Sequence, residues 1–231
     1  MQTVIAHERS WSFPMRPDVP GHVVERPASA SDLMRDWIRR TLALAILGLA
    51  APLMMALAWL IRQDGGPATF AQYRIGAGGR LFRCFKFRTM RPDAERALRG
   101  LLERDAGQRI EWQRNQKLLE DPRVTRVGRW LRRSSLDELP QLLNVLRGEM
   151  ALVGPRPITV PELCRYGRAR WHYLSVLPGM TGLWQVSGRN RTTYEQRVAL
   201  DERYVATRSA WLDCKILAKT VRVVLTRDGA C

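Results

Sequence analysis

The chain has 231 residues, enough for one domain of ordinary size and an additional segment. Hydrophobic residues make up 45% of it, and 38 Lys and Arg against 22 Asp and Glu give a formal net charge of +16. Such an excess predicts an anionic partner: nucleic acid, acidic lipid headgroups or a phosphorylated substrate. The four cysteines have no paired spacing, so the sequence predicts neither a zinc site nor a disulfide framework.

The first 30 residues contain four prolines and no apolar periodicity, which predicts a disordered cytosolic tail over residues 1–30. An uncharged apolar run follows at 41–61, too far from the start for a signal peptide. At about 1.5 Å per residue it is long enough to cross a membrane as one straight helix. Pro52 in its middle predicts a kink, and arginines flank both of its ends, where positive charge favours the cytoplasm. A spanning helix and a helix that bends at Pro52 and returns to the same side both fit.

Two short strands, over 70–73 and 81–88, are predicted to pair as a hairpin. Residues 154–157 are predicted to be irregular, and the Gly-rich stretch 178–191 to be a loop. The periodicity of the last helix suits either packing on the core or lying on a membrane surface. Helical periodicity recurs at residues 92–119 (interrupted at Gly107), 126–133, 140–147, 194–209 and 211–225.

The acidic pair Asp137 and Glu138 is the densest candidate for chemistry. Ser135 and Glu138 fit a capping box, so both acids are predicted at or just before a helix N-terminus, where backbone N–H groups favour negative charge. In one interpretation the acids only complement the start of a helix. In the other, Asp137 stays ionised as a nucleophile or metal ligand, and the upstream arginines, Arg132 among them, hold phosphate.

Two further segments offer rigid or close-packed backbone around an arginine. Arg156 stands between two prolines, and the loop 178–191 carries Gln185 and Arg189 among its glycines. Each segment is either an ordinary surface turn or a phosphate-binding loop. The segment around Lys86 and Arg88 is basic and partly apolar, but no nucleic-acid-binding motif is recognisable, so a lipid-phosphate enzyme is favoured over a nucleic-acid-binding protein.

The chain resembles the small bacterial sugar transferases, the monotopic phosphoglycosyl transferases that begin exopolysaccharide, capsule and O-antigen synthesis. The resemblance runs from about Arg35 to Leu225. A further string, EWQRNQKLLEDPR, is similar to enzymes that begin succinoglycan-type exopolysaccharides from UDP-galactose or UDP-glucose. The strings that carry the main resemblance are DGGPATFAQYRIG, FKFRTM, DPRVTRVGRWLRRSSLDELPQLLNVLRGEMALVGPRP and PGMTGLWQVSGRN.

The resemblance implies a predominantly helical α+β fold at the bacterial inner membrane. A re-entrant helix over 31–64, kinked at Pro52, would precede a catalytic domain over 65–231 that faces the cytoplasm and carries amphipathic interfacial helices. The chain departs from the family pattern at Ala51, where Ser is frequent, and at Arg39 and Arg40, near where the family often has an acid. These departures concern the shape of the membrane helix and leave the catalytic assignment unchanged.

The resemblance also implies the reaction. Asp137 and Glu138 would be catalytic and would hold Mg²⁺, and Asp137 would form a covalent phosphosugar intermediate. The partners would be a UDP-hexose donor, undecaprenyl phosphate and the lipid bilayer, with no nucleic acid and with a homodimer left open. An N-acetylhexosamine donor and a non-enzymatic membrane scaffold are the alternatives. The residues expected to bind substrate are Lys86, Arg88, Arg132, Arg156, Gln185, Arg189 and Asp201.

Overall fold

The computed structural model describes residues 30–115, 118, 120–188 and 192–226. The predicted tail lies outside these residues except for Ala30. The described chain is predominantly helical with two small two-stranded sheets, so the expected α+β class is confirmed. Its helices and strands are α1 Ala30–Arg62, β1 Thr69–Ile75, β2 Leu81–Phe87, α2 Ala94–Arg104, α3 Ala106–Asn115, α4 Arg126–Ser134, α5 Leu142–Leu146, β3 Ala151–Val153, α6 Val160–Arg165, α7 Arg170–Leu174, β4 Gly179–Thr181, α8 Tyr194–Thr207 and α9 Ala210–Thr226.

Helix α1 contains the apolar run and continues through Pro52. Its segment Leu33–Arg62 is long and apolar enough to cross a membrane, and most of it is exposed. Before Pro52, Ala43 packs in a core cluster with α5 and β2, and after Pro52, Leu57 and Ile61 pack against Phe87 and α4. The apolar run therefore contacts the same globular body on both sides of Pro52.

Strands β1 and β2 form the predicted antiparallel hairpin. Because side chains alternate along a strand, Cys84 and Lys86 lie on one face of β2 while Arg83 and Phe85 lie on the other. Backbone groups at the free edge of β2 form hydrogen bonds with the side chain of Asn144, which is fully buried. Asn144 accepts a hydrogen bond from the Phe85 backbone N–H at 3.1 Å and donates one to the Arg83 carbonyl at 2.7 Å. The asparagine thus takes the place of a third strand.

The acidic pair lies in a 3₁₀ helix, Leu136–Gln141, between α4 and α5. The predicted capping box is wrong: Ser135 ends α4 in the left-handed conformation, with φ of 57°, and its side chain makes no cap hydrogen bond. The helix predicted over 140–147 is shorter in the structure, because Pro140 belongs to the 3₁₀ helix and α5 begins at Leu142.

Strands β3 and β4 form a short parallel pair, so the prediction of a loop throughout 178–191 is wrong at its start. The backbones pack so tightly that a Cβ on Gly179 would come within 2.1 Å of the Gly154 nitrogen. Three-residue strands show no periodicity, which is why the sequence pattern did not reveal them. The predicted helix over 92–119 is interrupted at Asp105, where α2 ends, and not at Gly107, which lies inside α3.

Helices α8 and α9 are the last described elements, and their bounds are near the predicted ones. On α9, Ile216 is buried in the core, with Leu212 and Leu217 packed against the same cluster. The prediction of a core-packed helix is therefore confirmed. Trp211 and Val221 are nevertheless 69% and 61% exposed, so α9 also presents apolar side chains away from the core.

Candidate active site

A pocket lies between the first hairpin, the 3₁₀ helix that carries the acidic pair, and the turns that follow β3 and β4. Four of the residues predicted to be functional, Lys86, Glu138, Arg156 and Gln185, line it together although they come from distant parts of the chain. The complete lining is Arg74, Cys84, Lys86, Glu138, Gln141, Arg156, Pro157, Met180 and Gln185.

Glu138 is the carboxylate in direct contact with the cations of this pocket. Lys86 donates from Nζ to Glu138 Oε1 at 2.5 Å. Arg156 Nη1 lies 3.8 Å from the same oxygen. Lys86 is presented by β2 and Arg156 by the Pro-Arg-Pro turn after β3, so the hairpin and this turn bring two positive charges to one carboxylate.

Asp137 is half-buried beside this group. Burial and the adjacent negative charge of Glu138 raise the pKa of Asp137 to about 6, while the charges of Lys86, Arg132 and Arg156 lower it. The sequence interpretation expected a helix N-terminus to favour the ionised form, but burial moves the pKa in the opposite direction. With a pKa of about 6, the carboxyl group is still mostly ionised at neutral pH.

Arg132 is oriented by a contact that crosses from α4 to the end of the hairpin. Its Nε donates to the Thr89 hydroxyl at 2.9 Å. The backbone of α4 approaches closely there, because a Cβ on Gly128 would meet the Thr89 carbonyl oxygen at 2.0 Å. Burial lowers the pKa of Arg132 and the charge of Asp137 raises it, so the guanidinium faces the electrostatic field of that carboxylate.

Arg74 is a pocket residue that the sequence analysis missed. Its Nη1 lies 3.2 Å from Glu162 Oε2, and its Nη2 donates to Gln72 Oε1 at 2.8 Å. Burial lowers the pKa of Arg74, and the nearby charge of Arg156 lowers it further. The predicted strand ended at residue 73; extending its alternation by one residue would have placed Arg74 on the face shared with Lys86.

Arg88, predicted to bind substrate, is not brought into the pocket. Its five N–H donors are all taken by Asp64 and by the carbonyl oxygens of Ile61, Pro67 and Met90. These bonds fasten the end of α1 to the end of β2. The substrate-binding role is therefore replaced by a structural one, because no donor of this guanidinium is left for a phosphate.

Asp201 and Gln185 hold buried polar atoms near the pocket. Asp201 is 2% exposed, so the predicted direct contact with substrate is not supported. Its Oδ2 accepts from the Tyr166 hydroxyl at 2.8 Å, and burial raises its pKa to about 7 while the charge of Arg156 lowers it. Among the described residues, Asp201 Oδ1 and Gln185 Oε1 have no hydrogen-bond partner. Arg189 lies outside the described residues.

Asp137 and Glu138 fit Mg²⁺ held partly by a substrate. No group of three or more His, Cys, Asp and Glu side chains suited to a metal occurs within residues 30–226 as far as the structure describes them. Mg²⁺ does not need such a cage, because it is often bound by one or two carboxylates and by substrate phosphates. The like charge of Glu138 raises the pKa of Asp137, as is expected where two carboxylates share a site suited to a cation.

The chain belongs to the bacterial sugar transferase family, whose model matches residues 30–227. This confirms the resemblance carried by the sequence strings. It is 52% identical over 188 residues to an undecaprenyl-phosphate galactose phosphotransferase of Salmonella typhimurium, a match that covers 81% of this chain and 40% of that protein. It is 50% identical to a UDP-galactose-lipid carrier transferase of Erwinia amylovora, covering 81% of this chain and 39% of that protein.

Shorter relatives match over most of their own length. The chain is 46% identical over 190 residues to the exopolysaccharide production protein ExoY of Sinorhizobium fredii, covering 81% of this chain and 84% of that protein. The chain spans about 40% of the length of the galactose-transferring relatives from Salmonella and Erwinia. The similarity to those two proteins thus concerns only part of each of them.

Proposed function

We propose that this protein is a phosphoglycosyl transferase that moves hexose-1-phosphate from a UDP-hexose to undecaprenyl phosphate. The products are undecaprenyl-diphosphate-hexose and UMP, and the reaction is the first membrane step of exopolysaccharide synthesis. The observation that carries the proposal is the acidic pair Asp137 and Glu138 placed among Lys86, Arg132 and Arg156, in a chain that also carries a long apolar helix. The names of the relatives support the substrate class.

In the first half-reaction a carboxylate oxygen of Asp137 attacks the β-phosphorus of the donor. The bond from that phosphorus to the bridging oxygen breaks, and UMP leaves with the electron pair. In the second half-reaction a phosphate oxygen of the lipid attacks the same phosphorus and the Asp137 oxygen leaves, restoring the carboxylate. Charge is conserved in both steps without an oxidant or reductant.

The cations around the acidic pair have separate tasks in this mechanism. Lys86 and Arg156 face the pocket and bind the donor phosphates, while Arg132 approaches from the side of Asp137. Glu138 holds Lys86 in place. Together with Asp137 it would hold Mg²⁺. When bound, Mg²⁺ supplies positive charge that neutralises the diphosphate and makes UMP a better leaving group.

Buried Asp201 is a positioning residue in this proposal. It accepts from Tyr166, and its charge and that of Arg156 attract each other, so it acts on the pocket electrostatically from a buried position. Arg189 remains a proposed contact of the donor phosphates or of uridine on the grounds of the family motif. Gln185 lines the pocket and is held there by donating to the Met180 carbonyl at 3.0 Å, so it is proposed to shape the donor site.

The membrane arrangement that fits this reaction is re-entrant. Residues 31–64 would enter the inner membrane and return to the cytoplasmic side, leaving the domain over 65–231 in the cytoplasm with interfacial helices against the bilayer. Packing of the apolar run against the same globular body on both sides of Pro52 supports this arrangement. A straight spanning helix would carry the two halves of this run to opposite leaflets and one flank to the far side of the membrane.

The donor is proposed to be UDP-galactose or UDP-glucose. Relatives are named for galactose and for glucose, the latter including an enzyme of Caulobacter vibrioides that is 40% identical over 225 residues. An N-acetylhexosamine donor is the alternative within the same chemistry. A panel of UDP-sugars in a UMP-release assay, with purified protein and undecaprenyl phosphate, distinguishes the three.

The decisive experiment omits the lipid acceptor. Wild-type protein in stoichiometric amount with its donor should release UMP and retain a sugar phosphate, whereas Asp137→Asn should do neither. Glu103→Gln, which alters an exposed carboxylate on α2, is the matched control and should behave as wild type. Direct attack by the lipid phosphate would give no UMP without acceptor, and a membrane scaffold would give none under any condition.

A further inference from the structure

Two arginines lie against Phe85 on the face of β2 that is turned away from the catalytic pocket, and a third lies at the turn next to one of them. The guanidinium carbon of Arg83 lies 5.8 Å from the centroid of the Phe85 ring, and that of Arg147 lies 4.8 Å from it. Arg40 of α1 reaches the adjacent turn, because a Cβ on Gly148 would come within 2.8 Å of its Nη2. Arg40, Arg83 and Arg147 with the ring of Phe85 are called the Phe85 cluster below.

The charges of the Phe85 cluster are only partly neutralised. Arg40 pairs through Nε with Asp36 Oδ2 at 2.7 Å. Arg83 and Arg147 have no carboxylate within salt-bridge distance among the described residues, and both side chains are exposed. The nearby Glu149 accepts a hydrogen bond from Asn144. Two like charges held against one ring repel each other, and an anion between them relieves that repulsion.

The position of the cluster relative to α1 suggests where such an anion would come from. Arg40 immediately precedes the uncharged apolar run at 41–61, which marks the boundary of a hydrocarbon layer. Exposed apolar side chains lie one helical turn from two of the arginines: Leu44, four residues after Arg40, is 59% exposed, and Leu143, four residues before Arg147, is 38% exposed. A cationic cluster beside exposed leucines lies at the depth where phospholipid headgroups are found.

We propose that the Phe85 cluster binds the phosphate of an anionic phospholipid headgroup. Arginine suits this ligand because its planar guanidinium offers paired N–H donors to a phosphate. The acceptor phosphate is the less suitable occupant, because the strand alternation directs Lys86 and Cys84 to the opposite face of β2, where the catalytic pocket lies. The site would fix the depth and rotation of the domain on the bilayer.

The test measures lipid retention and does not depend on catalysis. Full-length protein is released from nanodiscs that contain phosphatidylethanolamine with a minority of phosphatidylglycerol, and bound lipids are counted by native mass spectrometry. Because each basic residue near an anionic surface contributes about fivefold in affinity, Arg83→Gln with Arg147→Gln should lower phosphatidylglycerol retention by roughly tenfold or more. Arg96→Gln with Arg99→Gln, an equal change of charge on exposed positions of α2, should leave retention unchanged.

Three outcomes would overturn the proposal. Equal retention by the wild type and the Phe85-cluster variant would show that no specific headgroup site exists there. An equal loss in both double variants would show that only total charge matters. Unchanged phosphatidylglycerol retention with loss of undecaprenyl phosphate would assign the cluster to the acceptor. If the double variant unfolds, as judged by its thermal midpoint, Arg147→Gln alone is measured, with about a fivefold loss expected.

Discussion

Replacement of Asp137 by Asn should stabilise the protein while it abolishes turnover. Burial and Glu138 raise the pKa of this carboxyl group from 3.8 to about 6. The folded state therefore binds the proton more tightly than the unfolded chain, so the free energy of unfolding falls as the pH rises through that interval. At neutral pH the ionised side chain destabilises the fold by about 3 kcal/mol. Asn is nearly isosteric and carries no charge, so the variant should recover most of that amount.

The measurement is urea unfolding in detergent micelles, followed by the fluorescence of the eight tryptophans, with a chelator present to remove Mg²⁺. The stability difference between Asp137→Asn and wild type should be largest near pH 7 and should vanish near pH 4, around the unfolded pKa. Glu103→Gln, which removes the charge of an exposed carboxylate, should show no such trend. A variant no more stable than wild type at neutral pH, or a difference independent of pH, would refute the argument that burial and like charge act on Asp137.

Three other perturbations follow from the contacts. Arg88→Ala should lower the free energy of unfolding by about 2 to 4 kcal/mol without changing donor affinity, because it leaves Asp64 and three carbonyl oxygens without their donor. Asn144→Ala should cost a similar amount, about 2 to 4 kcal/mol, since the buried edge of β2 loses two hydrogen bonds. Cysteines introduced at Ser31 and Gln63, in a background without native cysteines, should both react with an impermeant reagent from the cytoplasmic side.

Each of these has an outcome that contradicts it. A weaker donor affinity in Arg88→Ala at unchanged stability would return Arg88 to the binding site. Unchanged stability in Asn144→Ala would mean that water replaces the side chain at the edge of β2. Labelling of Ser31→Cys and Gln63→Cys from opposite sides of the membrane would establish a spanning helix.

The sequence by itself determined the features that depend on local pattern. The first hairpin, α4 and the two closing helices were predicted close to their observed bounds, because alternation and helical periodicity are read along one segment. The apolar run ahead of the domain was identified in the same way. The acidic pair and the Pro-Arg-Pro turn were recognised as candidate site residues because their motifs are contiguous.

Only the tertiary structure decided which of these residues meet. Lys86 and Glu138 are separated by 52 positions, and their contact depends on the packing of β2 against the 3₁₀ helix. Arg88 and Lys86 look equivalent in the sequence, yet the alternation of β2 and the end of α1 assign one to a structural network and the other to the pocket. The pKa of Asp137 likewise depends on burial, a property of the packed chain that no contiguous motif specifies.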